Sequence, residues 1–162
     1  MDIYTYAMQM EKDGKKYYDD MAQKTGNPGF KSILKRMADA EVKHYKVLLA
    51  MQKNEKAEFE TDSEIFTHAK NVFTKMKEEG KDPDSESSQV ALYQKALEIE
   101  KESHKFYREK ADEEQDSHKK EIILKIAAEE KDHCVLLSNI IEFVTKPESW
   151  LENAEWYHLN EY

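Results

Sequence analysis

The sequence predicts an all-α protein: one four-helix bundle with a long crossover between its second and third long helices, and a short helix at the C-terminus. Three observations carry this. Apolar residues recur at spacings of three and four through every long segment, with no alternating stretch to suggest a strand. Breakers are scarce, with 4 Gly and 3 Pro in 162 residues, while charged residues make up 36%, a composition suited to long helices with one solvated face. The second half of the chain also repeats the first, as a duplicated helix hairpin would.

The elements follow from the breakers. A first helix over 3–25 ends at "TGNPGF" (25–30), which also starts a second helix over 29–55. The crossover, about 57–88, holds a shorter helix over 64–78 that begins after Ser63. It closes on the strongest linker signal, "EEGKDPDSESS" (78–88), with Gly80, Pro83 and a cluster of Asp and Ser. The third long helix covers 88–113. A polar break in "KADEEQDSHKK" (110–120) leads to the fourth, over 118–145. "TKPES" (145–149) then sets Pro147 where a first helical turn accepts it, so a last helix is expected over 148–159. Residues 1–145 read as the bundle domain. Residues 146–162, with the aromatic tail "WLENAEWYHLNEY", read as a helical extension packing on the bundle or on a second subunit.

A shift of 89 residues aligns the two halves. "AMQMEKDGKKYYDDMA" (7–22) falls on "ALEIEKESHKFYREKA" (96–111), and without a gap "MADAEVKHYKVL" (37–48) falls on "IAAEEKDHCVLL" (126–137). No shorter period is present, so the repeat is a doubled hairpin rather than a solenoid. Two short-looped hairpins joined by a long crossover make a four-helix bundle with approximate two-fold symmetry.

Polar residues interrupt the apolar seams at matching depths. The second helix runs Phe30, Leu34, Met37, Glu41, His44, Leu48. The fourth runs Ile123 or Leu124, Ile126, Glu130, His133, Leu137, Ile140, Val144. Glu11 lies on the stripe Tyr4, Ala7, Glu11, Gly14, Tyr18, and Glu100 on Tyr93, Ala96, Glu100, Ser103, Tyr107. A spacing of three puts Glu41 with His44, and Glu130 with His133, on one helix face. All four helices therefore aim a carboxylate at the bundle axis. Four buried carboxylates need compensation, because unpaired buried charge is costly and like charges drive protons on. Two divalent cations supply it. A set of four Glu and two His suits iron or manganese and accepts zinc. It leaves coordination positions open to an oxidant, with Ala7, Ala96, Gly14 and Ser103 leaving space beside the terminal Glu residues. The competing reading is a structural bundle that keeps these groups as a buried hydrogen-bond network without metal.

Other classes are excluded or disfavoured. With a net charge of −9 and no Lys/Arg run, no nucleic-acid partner is expected. The single cysteine, Cys134, rules out an internal disulfide or a CxxC-type metal site and fits a reducing compartment. It is expected as a small buried side chain rather than a reactive thiol. The N-terminus lacks a signal-peptide pattern, and no run approaches the ~20 apolar residues that span a bilayer. A cytoplasmic protein with no membrane partner is the expectation. His68, His104, His118 and His158 have no repeat partners and are expected at the surface.

One Glu from each of two helices and Glu-x-x-His from each of the other two is the ligand pattern of ferritin-like di-iron carboxylate bundles, and residues 1–145 resemble that superfamily. "EKDGKKYY" (11–18), "AEVKHY" (40–45), "EKESHKFY" (100–107) and "EEKDHC" (129–134) resemble the rubrerythrin family most closely. The resemblance implies a ferritin-like fold and two iron ions per chain. It implies Glu11 and Glu100 as terminal ligands, Glu41 and Glu130 as bridging ligands, and His44 and His133 as nitrogen ligands. It also implies supporting roles for Tyr18 and Tyr107, each seven residues after its helix's Glu and on the same face; the alternative reading of the residues is plain amphipathic core. Leu97, one turn before Glu100, is apolar and adds no further ligand there.

The implied activity is reduction of hydrogen peroxide or dioxygen in oxidative-stress defence. The rubredoxin domain usual in that family is missing from this chain. Electrons are therefore expected from a separate donor, such as a rubredoxin or a reductase. A homodimer is expected by the same resemblance. The alternative of another class is a ferroxidase that binds and stores iron in a larger assembly.

Overall fold

The computed structural model describes residues 2–79 and 89–146. Among these, every regular element is helical: α1 (Ile3–Lys24), α2 (Pro28–Gln52), α3 (Ile65–Glu78), α4 (Val90–Glu113) and α5 (Ser117–Thr145). The all-α, ferritin-like bundle is therefore as the sequence predicts. α1 pairs with α2 and α4 with α5, two hairpins joined through the crossover that contains α3. The expected last helix over 148–159, the extension 146–162 beyond residue 146, and His158 lie outside the described residues.

Local chemistry sets the helix ends. Asp2 caps α1 by accepting from Thr5 N at 2.8 Å, Asn27 caps α2 from Phe30 N at 3.1 Å with Pro28 in the first turn, and Asp116 caps α5 from Lys119 N at 2.9 Å. α2 stops at Gln52, three residues short of the expected end. Asn54 adopts the left-handed conformation (φ 56°), Asn54 N donates to Met51 O and Glu55 N to Ala50 O. That paired closure terminates a helix, and Asn is one of the few non-glycine residues that tolerates it.

The core is split. One apolar cluster gathers the N-terminal half of α2, the C-terminal half of α5 and the inner face of α3, around Phe30, Phe73, Tyr93 and Phe143. Phe30 meets Phe73, Tyr93 and Phe143 at ring-centroid distances of 5.6, 6.4 and 5.9 Å. A second cluster, with Val47, Met51, Ile122 and Ile126, fills the opposite end. Ile123 rather than Leu124 supplies the seam, being buried where Leu124 is half-buried. Between the two clusters lies a polar layer, and the bundle is arranged around it. Among the described residues no helix is long and apolar enough to cross a membrane.

Candidate metal centre

The polar layer consists of the residues the repeat singles out. Glu11, Glu41, His44, Glu100, Glu130 and His133 are each at most 3% exposed, one carboxylate or carboxylate–imidazole pair coming from each long helix. Their donor atoms form two overlapping groups, Glu11–Glu41–His44–Glu130 and Glu41–Glu100–Glu130–His133, each with ligand atoms within 4.8 Å of one another. Glu41 and Glu130 belong to both groups. His44 Nδ1 lies 3.1 Å from Glu11 Oε2 and 2.9 Å from Glu130 Oε1. His133 Nδ1 lies 3.3 Å from Glu41 Oε1 and 3.6 Å from Glu100 Oε1. Both imidazoles thus turn the same nitrogen inward.

The tyrosines complete the layer by exchange. Tyr18, on α1, donates its hydroxyl to Glu100 Oε1 on α4 at 2.5 Å. Tyr107, on α4, donates to Glu11 Oε1 on α1, also at 2.5 Å. Each hairpin provides the proton donor for the other's terminal carboxylate. Sequence spacing places each tyrosine on its own helix's Glu face; the bundle shows that the bond crosses to the opposite helix. Burial, the Glu100 and Glu41 charges and the bond to Glu100 push the Tyr18 phenol well above its ordinary pKa. Burial and Glu11 do the same for Tyr107. Both hydroxyls therefore stay protonated donors.

Without a cation the carboxylates are frustrated. Burial, then the charges of Glu11, Glu130 and Glu100, raise Glu41 well above the usual carboxylate range. Burial, then Glu100 and Glu11, do the same to Glu130. For Glu100 burial acts upward, but hydrogen bonding from Glu130, His133 and Tyr18 overcomes it and holds the group at about 2. His44 is pulled down by burial, yet Glu11 and hydrogen bonds to Glu11, Glu129 and Glu130 carry it well above the ordinary imidazole range. The layer thus balances its charge with protons held between carboxylates. It also leaves Glu41 Oε1 and Glu100 Oε2 without hydrogen-bond partners among the described residues. Orphaned buried acceptors are rare and costly. Oxygen and imidazole lone pairs converging on one volume fit divalent cations, so the residues present match the metal type the ligand pattern implies.

Space is provided on one side by Gly14, one turn after Glu11. A Cβ there would stand 3.0 Å from Glu41 Oε2. Its repeat mate, Ser103, is also small and buried. Leu97 is half-buried and packs against the larger apolar cluster.

One residue of the layer is missed by sequence reasoning. Glu129 is 2% exposed and bonds the outer nitrogen of His44, Nε2···Oε1 2.9 Å, while its Oε2 accepts from Asp62 N at 2.7 Å. Burial raises its pKa, but the bonds from His44 and Asp62 prevail and hold it below the usual range. A signal existed: within two well-matched segments, Glu129 aligns with Ala40, a carboxylate against a methyl beside the key Glu. The surface expectation needs correction for two histidines. His68 is half-buried and bonds Ser32 Oγ at 2.7 Å, and half-buried His104 bonds Ala127 O at 2.9 Å, because each finds a polar partner on a neighbouring helix. His118 is exposed as expected, its ring bonded to Ala57 O at 2.9 Å. Cys134 is half-buried rather than buried. Burial, then Glu100 and Glu130, push its thiol up to about 12, consistent with an unreactive side chain.

No curated protein and no solved structure matches the chain. The model of the Rubrerythrin family, whose members are ferritin-like di-iron proteins, matches residues 2–141. That span takes in both hairpins, the crossover and every residue of the buried layer, and the chain belongs to the Rubrerythrin family.

Proposed function

We propose that the chain is a non-haem di-iron oxidoreductase that reduces hydrogen peroxide or dioxygen. The observation that carries this reading is the pair of buried Glu/His groups sharing Glu41 and Glu130, with orphaned lone pairs turned inward. In it, Glu11 and His44 would hold one ion and Glu100 and His133 the other, with Glu41 and Glu130 available to both. Ferrous ions held there would supply two electrons, one each, to the oxidant.

The protein's own groups do the rest. Burial of all six ligands keeps bulk water out, which strengthens every electrostatic interaction inside. Tyr18 and Tyr107 each donate a hydrogen bond to one oxygen of a terminal carboxylate, so these groups hold their orientation when their binding mode changes. Gly14 and Ser103 keep bulk away from the carboxylates. Electrons return from a separate donor, a rubredoxin or a reductase. We further propose a cytoplasmic homodimer.

The test is anaerobic loading with two equivalents of ferrous iron, followed by rapid mixing with peroxide or with dioxygen. The expected result is oxidation by one of them much faster than that of free ferrous iron, abolished in Glu41→Ala. Faster reaction with peroxide identifies a peroxidase, and faster reaction with dioxygen an oxidase or ferroxidase. Failure to bind iron, or full rates in Glu41→Ala, overturns the assignment.

A further inference from the structure

The hydrogen bonding of the buried layer departs from the two-fold repeat at Glu129. On the His44 side, Nε2 is bonded by the Glu129 carboxylate. The equivalent position on the other side is Ala40, and His133 Nε2 has no hydrogen-bond partner among the described residues. Both outer nitrogens are buried, so water does not equalise them.

The difference is built into the crossover. After α2 ends, the chain runs over the His44 side of the bundle without regular structure from Glu55 to Asp62. Phe59 sets its ring edge-on to His44, 5.2 Å between centroids. Asp62 N donates to Glu129 Oε2, and Arg36 grips the Asp62 carboxylate with two bonds of 2.9 and 2.8 Å. Glu129 is thereby fixed from outside as well as inside. On the other side Tyr18 stands edge-on to His133 at 5.8 Å, but its hydroxyl goes to Glu100.

An ionised carboxylate can only accept, so Glu129 requires the proton on Nε2 of His44 and makes Nδ1, which faces the centre, the nitrogen that would give up its proton to a cation. It also makes that imidazole a stronger donor and fixes its ring. His133 has neither constraint. We propose that Glu129 makes the two metal positions inequivalent: the Glu11/His44 position is the tight one, and the Glu100/His133 position is the exchangeable one. Glu129 acts through His44 and is a positioning residue, a feature of this chain's own asymmetry rather than of its repeat. The proposal rests on reading the centre as a two-metal site.

Two adjacent cations repel, so stepwise binding alone does not establish inequivalence. The test isolates each position. Cobalt(II), whose visible bands report imidazole coordination, is titrated into His133→Ala, which retains His44, and into His44→Ala, which retains His133. Glu129→Ala is then added to each. The expected result is an affinity about 10- to 100-fold weaker in the chain retaining His44, and little change in the chain retaining His133. Glu129→Gln, which keeps an acceptor for the imidazole N–H, should recover most of the loss. It also serves if the alanine variant does not fold. Equal weakening in both backgrounds overturns the proposal, because Glu129 would then only support the bundle. So does an unchanged affinity in the chain retaining His44. Absence of cobalt binding to the unsubstituted chain instead overturns the two-metal reading itself.

Discussion

Gly14→Ala should separate what the bundle wants from what the centre wants. In a helix interior the change is worth about 0.8–1.0 kcal/mol in favour of alanine. Against this, the new Cβ would meet Glu41 Oε2 at 3.0 Å and Glu41 Cδ at 3.3 Å, so the carboxylate has to yield by a few tenths of an ångström. In the metal-free protein it can, since Glu41 Oε1 has no hydrogen-bond partner and the bond with Glu11 can adjust as the carboxylate turns. Metal-free Gly14→Ala should therefore match or exceed the parent by up to about 1 kcal/mol, a Tm rise of roughly 2–4 °C for a chain of this size. With ions bound, a bridging Glu41 is held from both sides. Turning it off its preferred rotamer costs about 0.5–1.5 kcal/mol, a metal affinity roughly two- to twelvefold weaker. Urea unfolding of the metal-free protein and cobalt titration read the two effects separately. Ser103→Ala is the control, because that position already carries a Cβ, and it should change neither by much. Destabilisation of metal-free Gly14→Ala by more than about 1 kcal/mol would show that Glu41 is rigid without metal. An unchanged affinity would show that Glu41 is not held by it. Either result refutes the reasoning.

Tyr107→Phe and Tyr18→Phe each delete a short buried bond to a carboxylate and should each cost about 1.5–3 kcal/mol in thermal unfolding. A loss at only one of the two would contradict the symmetric exchange. Stability of the metal-free protein should fall as pH rises from 5 to 8. Glu41, Glu130 and His44 have folded pKa values above their unfolded ones, so their contribution is full below the unfolded values and lost as pH passes the folded ones. A urea midpoint that climbs over this range would contradict the direction, and metal loading at pH 7 should release protons to an indicator dye. Cys134, raised from 9.0 to about 12, should react with a thiol reagent at pH 8 about a thousandfold more slowly in the native protein than in urea. Comparable rates would mean that its surroundings open readily.

Much of the architecture was legible because it rests on periodicity. The seams through Phe30 and Leu48, and through Ile126 and Val144, mark buried faces directly, and the interruptions at Glu41/His44 and Glu130/His133 stand out because the repeat doubles them. The end of α2 was misjudged because it depends on the backbone conformation of Asn54, which periodicity does not report. Partners across the bundle were out of reach for a similar reason. A helical stripe says which residues share a face, so Tyr18 could be tied to Glu11's stripe but not to Glu100. Glu129 was missed because it sits beside the seam and becomes important only when His44 and the backbone of Asp62 arrive from elsewhere in the chain.

The crossed tyrosines have a consequence for how the protein matures. Glu11 waits for a hydroxyl carried 96 residues later, and Glu100 for one carried 82 residues earlier. A nascent chain that has released only its first hairpin holds half a ligand set and none of the right phenol donors. Assembly of the centre is therefore an all-or-nothing event that follows the docking of the second hairpin. A chain cut between residues 79 and 89 should regain the centre only when both fragments are mixed, each fragment acting as the other's template.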